Sequence, residues 1–168
     1  MRVDSFTYLP RSFRARFERP AAVPGEDAEV WAPFEPRLAD ATIGLLSSAG
    51  LYLEGVQDPF DVERERNEPM WGDPSWRAIP HDVAQGGLGM SHLHVNPADV
   101  LADHEVALPV RTLDALVSDG IVGASAGTHV SVMGYQEAGL VEWRERTAPA
   151  VVDLLRDEGV DGIVLAPV

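Results

Sequence analysis

Ser91-His92-Leu93-His94 places two imidazoles one residue apart. On an extended strand, period-two geometry turns both rings to one face, where they can share a metal ion or exchange a proton near neutral pH. A divalent metal there needs a third ligand, for which His129, His104, Asp99 and Asp103 are candidates. His92, His94 and His129 are candidates both as catalytic residues and as that metal trio. A structural histidine pair, hydrogen-bonded at a strand end, is the alternative. No His-Glu-x-x-His pattern strengthens the metal reading. Arg77 supplies a planar fork suited to a substrate carboxylate, unless Asp73 or another carboxylate of the chain occupies it. Asp73, after Gly72, also suits a turn. Ser91 and the Met133-Gly134-Tyr135 segment could line the same crevice as the histidines.

The chain holds no cysteine, so these 168 residues offer no thiol nucleophile, disulfide or thiolate metal site. All 13 basic residues are arginine, which removes Schiff-base and P-loop lysines as well. A net charge of −14 repels a phosphate backbone and argues against nucleic-acid binding. No apolar run reaches the roughly 18 residues of a membrane span, and no export signal is apparent, so the expected location is cytoplasmic. The charge is uneven. Arg2, Arg11, Arg14, Arg16 and Arg19 face only Asp4 and Glu18 in the first 24 residues, interleaved with Phe6, Tyr8, Phe13 and Phe17. Residues 1–29 therefore read as a basic aromatic arm and linker, suited to an acidic partner or to the acidic body of the protein itself.

The elements that position the candidates alternate between short strands and helices. Strands are expected over 41–48, 75–79, 88–95, 106–108 and 121–129, with a buried strand over 162–168. Residues 54–74 lack periodicity and read as a long loop. A helix starts at Asn96-Pro97, a second ends at Gly120, and a third begins afresh at Thr147, with Pro149 in its first turn and Gly159 at its end. The expected fold is a single α/β domain over 30–168, a mostly parallel sheet flanked by helices with an extended N-terminal arm. In such sheets ligands sit beyond the carboxyl ends of the strands.

Gly72-Asp-Pro-Ser-Trp-Arg-Ala-Ile-Pro80 resembles the Gly-Asp-x-Ser-aromatic-Arg-x-Ile-Pro signature of the selenoprotein B family, the substrate-binding subunits of glycine, sarcosine, betaine and D-proline reductases. Ser91-His-Leu-His94, Leu108-Pro109, Asp119-Gly-Ile121, Met133-Gly134, Thr147-Ala-Pro149 and Asp157-Glu-Gly-Val-Asp161 follow that family's later segments in order. The chain departs from it at His104-Glu105, where the family has Asn after the acidic residue matched by Asp103. The resemblance implies a small amine or amino acid as ligand, with Arg77, Asp73, Ser91, Met133 and Gly134 binding it and His92, His94 and His129 around it. It also implies a selenocysteine or cysteine directly after the strand matched by Ile163–Val168, outside these residues, with electrons arriving through thioredoxin-type partners. A chain halted at a selenocysteine codon and a short form paired with another subunit both fit.

The reading is therefore a subunit of a reductase-like complex that acts in reductive C–N cleavage, in a homo- or hetero-oligomer. Its rivals are a metal-dependent, non-redox enzyme built on the histidine cluster, and a non-catalytic interaction protein that uses its arm.

Overall fold

The computed structural model describes residues 32–68, 71–136 and 140–168; the arm and linker read over 1–29 lie outside them. Residues 34–168 form one unit. Its strands are β1 (Thr42–Ser47), β2 (Leu51–Leu53), β3 (Trp76–Pro80), β4 (Leu88–Met90), β5 (Ala124–Ser125), β6 (Thr128–Val132) and β7 (Gly162–Ala166). Strand β1 is the centre of the main sheet, paired in parallel with β7 along one edge and with β5 and then β6 along the other. Strand β3 closes the far side antiparallel to β6, and β2 with β4 makes a separate antiparallel pair. The sheet is mostly parallel and helices flank it, as expected from the alternating pattern.

Side-chain alternation divides the sheet into two faces. Ile43 and Leu45 of β1 pack with Leu51, Ile79, Leu88, Val100, Leu108 and Leu113. This layer brings in the β2–β4 pair and helices α2 (Ala98–Ala102) and α3 (Val110–Ser118). Val130 and Val132 of β6 pack on the opposite face against Val151 and Leu155 of helix α5 (Ala148–Asp157). Alternating with these valines, His129 and Ser131 turn toward the first face, and both are completely buried. A buried polar side chain needs partners, and both residues find them in the backbone of other strands. Ser131 Oγ accepts the Leu51 N–H at 2.7 Å.

Several expected elements change on folding. Residues 62–67, inside the expected loop, form helix α1 (Val62–Asn67), because Asp61 accepts the Arg64 N–H and caps it. The strand expected over 106–108 does not form: Val106 ends a 3₁₀ turn, His104–Val106, capped by Asp103, and residues 107–108 lead into α3. Glu105 then accepts the N–H groups of both Arg111 and Thr112 at the start of α3, a cap supplied from the preceding turn. Pro149 does not begin a separate helix. Helix α4 (Leu140–Glu142) runs through a π-turn, Trp143–Thr147, into α5, and this widened turn accommodates a residue with no N–H to donate. Thr147 does not cap; its hydroxyl donates to the Pro74 carbonyl. Gly120 and Gly159 do close their helices, each at φ +69°.

Strand β7 departs most from expectation. The sequence predicts a buried strand, but Ile163, Val164 and Leu165 are 41%, 50% and 63% exposed, because β7 pairs only with β1 among the described residues and lies at the sheet edge. No helix among the described residues is long and apolar enough to cross a membrane.

Candidate functional site

The carboxyl ends of β1 and β6 meet three segments that are distant in sequence. Ala49, just past β1, bridges to Met133, just past β6. Gly50 donates its N–H to the Val132 carbonyl and accepts the Ser91 N–H at 2.9 Å. With φ at +65°, and with the Ser91 carbonyl and Met133 sulfur where a β-carbon would stand, position 50 admits only glycine. Gly72 abuts the Tyr135 carbonyl as closely, and Gln136 donates to the carbonyls of Asp73 and Met133. Gly134 lies over Ser48, whose hydroxyl accepts the Val168 N–H at 2.9 Å. Asp73, Ser91, Met133 and Gly134, all expected to bind a ligand, thus share one rim.

Most of the charged groups of this rim are already committed. Asp73 is buried and accepts from the Asp61 N–H and from both the N–H and hydroxyl of Ser75, so its carboxylate shapes the loop. Glu65 of α1 accepts the Asp73 N–H at 3.1 Å. Burial raises the Glu65 carboxyl above its usual range, against the lowering effect of that hydrogen bond and of nearby His94. Arg77 points its guanidinium at the Asp58 and Pro59 carbonyls, Ser75 Oγ and the Trp76 carbonyl, stacked 4.2 Å over the Phe60 ring. Its partners are carbonyls, a hydroxyl and a ring, not the carboxylate that was its expected internal alternative.

His92 and His94 do not alternate on a strand. Strand β4 stops at Met90, and the chain turns so that His92 Nδ1 accepts the His94 N–H at 3.1 Å. The rings stand edge to face with centroids 6.2 Å apart. Burial first, and His94 second, hold the His92 pKa below its ordinary value, so the ring is neutral near pH 7. Asn96 does cap the next helix, through Oδ1 to the Ala98 N–H.

His129 lies elsewhere. It is the second residue of β6 and pairs across to Ile79, four residues and so about 13 Å of strand from Met133. Between the pairs Ile43–Ser125 and Leu46–Val130 the partner strand holds two residues more than β1, and this bulge displaces a backbone acceptor. His129 Nδ1 replaces it and takes the Leu45 N–H at 3.3 Å. The neutral ring therefore carries its proton on Nε2, which donates to His81 Nδ1 at 3.2 Å. His81 in turn carries its proton on Nε2 and donates to Asp114 Oδ1 at 3.1 Å. Ser125 Oγ also lies 3.1 Å from His81 Nδ1. Burial, reinforced by His81, depresses the His129 pKa to about 4.

His81 and Asp114 open onto a cleft of about 450 Å³, lined also by Asp82, Val83, Gln85, His104, Val110 and Arg111. Asp103 and Asp99 sit at the ends of α2, and Asp103 pairs with Arg111. Among the described residues no group of three or more His, Asp or Glu is placed to hold a metal ion, and His129 stands apart from His92 and His94 with both ring nitrogens engaged. His81 and Asp114 were missed in the sequence. Positions 81, 114 and 129 carry no local spacing signal; only the His-Asp dipeptide after Pro80 marked the place.

The chain is 27% identical over 143 residues to the D-proline reductase subunit gamma of Acetoanaerobium sticklandii. The match covers 85% of this chain but 55% of that protein, so the chain spans about half the length of the relative. This is a distant relationship to that reductase. No family model and no solved structure matches the chain.

Proposed function

We propose that the chain is a substrate-binding subunit of a reductase complex of the selenoprotein B type, gripping a small amino-acid-like molecule at the carboxyl rim of β1 and β6. The observation that carries this reading is the convergence of Gly72-Asp73, Ser91 and Met133-Gly134 on one rim, where an open parallel sheet binds its ligands. Asp73, Glu65 and Arg77 hold the rim in shape, while His92, His94 and Ser91 act toward the ligand. In reductive C–N cleavage a selenolate or thiolate attacks the carbon bearing nitrogen, the C–N bond breaks, and the departing amine takes a proton. His94, beside Glu65, is our choice for that proton. These residues contain no thiol, so the nucleophile and its two reducing electrons come from outside them.

Assembly with another polypeptide is supported by β7, whose apolar residues are exposed at the sheet edge. Within such a cytoplasmic hetero-oligomer, the partner supplies the redox group or its electrons.

Calorimetric titration with D-proline, glycine, sarcosine and betaine tests the reading. Saturable binding of one of them without turnover, weakened at least tenfold by His94→Ala, is expected. Binding of none, or turnover by the chain without an added thiol or selenol protein, overturns it.

A further inference from the structure

The cleft at the other edge of the sheet is chemically unlike the rim and has no part in the reading above. We propose that it binds a small protonated alkylamine, through Asp114 and Asp82, with His104 as a third contact. Asp114 receives the His81 Nε2–H on Oδ1, which leaves Oδ2 without a partner among the described residues. Asp82 lines the same cleft, exposed, and makes no hydrogen bond or ion pair there. His104, only 5% exposed, has a buried Nδ1 with no hydrogen-bond partner. A buried nitrogen left unsatisfied destabilises the fold unless something reaches it. A ligand N–H suits the open oxygen of Asp114, the Asp82 carboxylate and, in the tautomer that leaves it unprotonated, His104 Nδ1.

The charge balance selects a cation. Arg111 is the cleft's one permanent positive charge among the described residues, and Asp103 neutralises it at 2.6 Å. The first amides of α3, the usual anchors for an anion, are already bonded to Glu105. Val83 and Val110 offer apolar wall for an alkyl chain. His81 is held at both nitrogens, by His129 and by Asp114, so the Asp114 carboxylate is fixed before any ligand arrives.

Histidine ring resonances of the full chain, titrated with n-butylammonium chloride at constant ionic strength, decide the matter. Saturable shifts at His81 and His104, with His92 and His94 unmoved, are expected. Asp114→Asn keeps an acceptor for His81 Nε2–H and should weaken binding at least tenfold; Asp82→Asn should weaken it severalfold. Tetramethylammonium, equal in charge but lacking N–H, should produce no saturable shift. Equal shifts with tetramethylammonium, undiminished affinity in Asp114→Asn, or first movement at His92 and His94 would each overturn the proposal. Failure of the rim reading leaves this result unaffected, since the rim histidines report separately.

Discussion

The two edges of the parallel sheet handle polar groups in opposite ways. At the carboxyl rim nearly every charged group is spent on the protein itself: Asp73 on three donors, Glu65 on the Asp73 amide, Arg77 on carbonyls and Phe60. At the amino edge His81 and His129 are tied to each other, yet Asp82, one oxygen of Asp114 and one nitrogen of His104 remain open. The segment richest in recognisable motif is therefore rich in shape-holding residues, and free hydrogen-bonding capacity collects where no motif exists. A glycine or arginine in a signature string can serve the loop that presents a ligand site without touching the ligand.

The sharpest way to break the comparison is to fill the rim. In Gly72→Ala the new β-carbon would stand 1.6 Å from the Tyr135 carbonyl oxygen, a backbone atom that cannot move alone. Loss of about 4 kcal/mol, or of the folded state, is expected in urea unfolding. A near-neutral result would show that the rim is not assembled as described. Next in size is the acid response of the amino edge. His129 titrates at about 4 when folded against an ordinary 6.5, so the fold favours its neutral form. That preference contributes fully above pH 6.5 and is lost as pH falls toward 4, roughly 3 kcal/mol in all. His129→Asn keeps an acceptor for the Leu45 N–H and should lose stability at pH 7 but flatten this acid slope. An unchanged slope would move the acid sensitivity to another group.

What the sequence made legible follows from the range of the interactions concerned. Strand β1, the helix ends at Gly120 and Gly159, and the Asn96 cap rest on neighbours a few residues away, and the chain reads correctly there. Exposure of β7 depends on what pairs with its second edge, which no periodicity in Gly162–Ala166 encodes. Strand β4 ends early because Ser91 turns to Gly50 and His92 to the His94 amide, both bonds made in the folded rim. The His129–His81–Asp114 chain depends on a two-residue bulge at 126–127 and on a helix packed beneath it, so its members are invisible until the register is known. The residues quoted for the resemblance converge on the rim, but order along the chain says nothing of which of their donors and acceptors the fold already uses.

Arg77→Lys separates those tasks. An ammonium cannot span the Asp58 and Pro59 carbonyls while stacking on Phe60, so stability should fall by about 1–2 kcal/mol. Ligand affinity at the rim should change less than twofold. A tenfold loss of affinity at unchanged stability would instead make Arg77 a carboxylate fork and the rim less self-contained than its hydrogen bonds indicate.

The smallest expected effect probes the same self-containment at Glu65. Glu65→Gln preserves an oxygen for the Asp73 amide and removes only the buried charge. Because burial raises the folded pKa, the wild-type carboxyl is accommodated best when protonated, below about 4.5. Its contribution fades as pH rises through the raised value. The variant should therefore match the wild type at acid pH and gain on it toward neutrality, within about 1 kcal/mol, as read from paired urea midpoints across pH 4–8. A variant that instead loses ground as pH rises would mean the Glu65 charge has a favourable partner, with the His94 imidazole as the candidate. The rim would then hold a working carboxylate–imidazole pair rather than a purely structural acid.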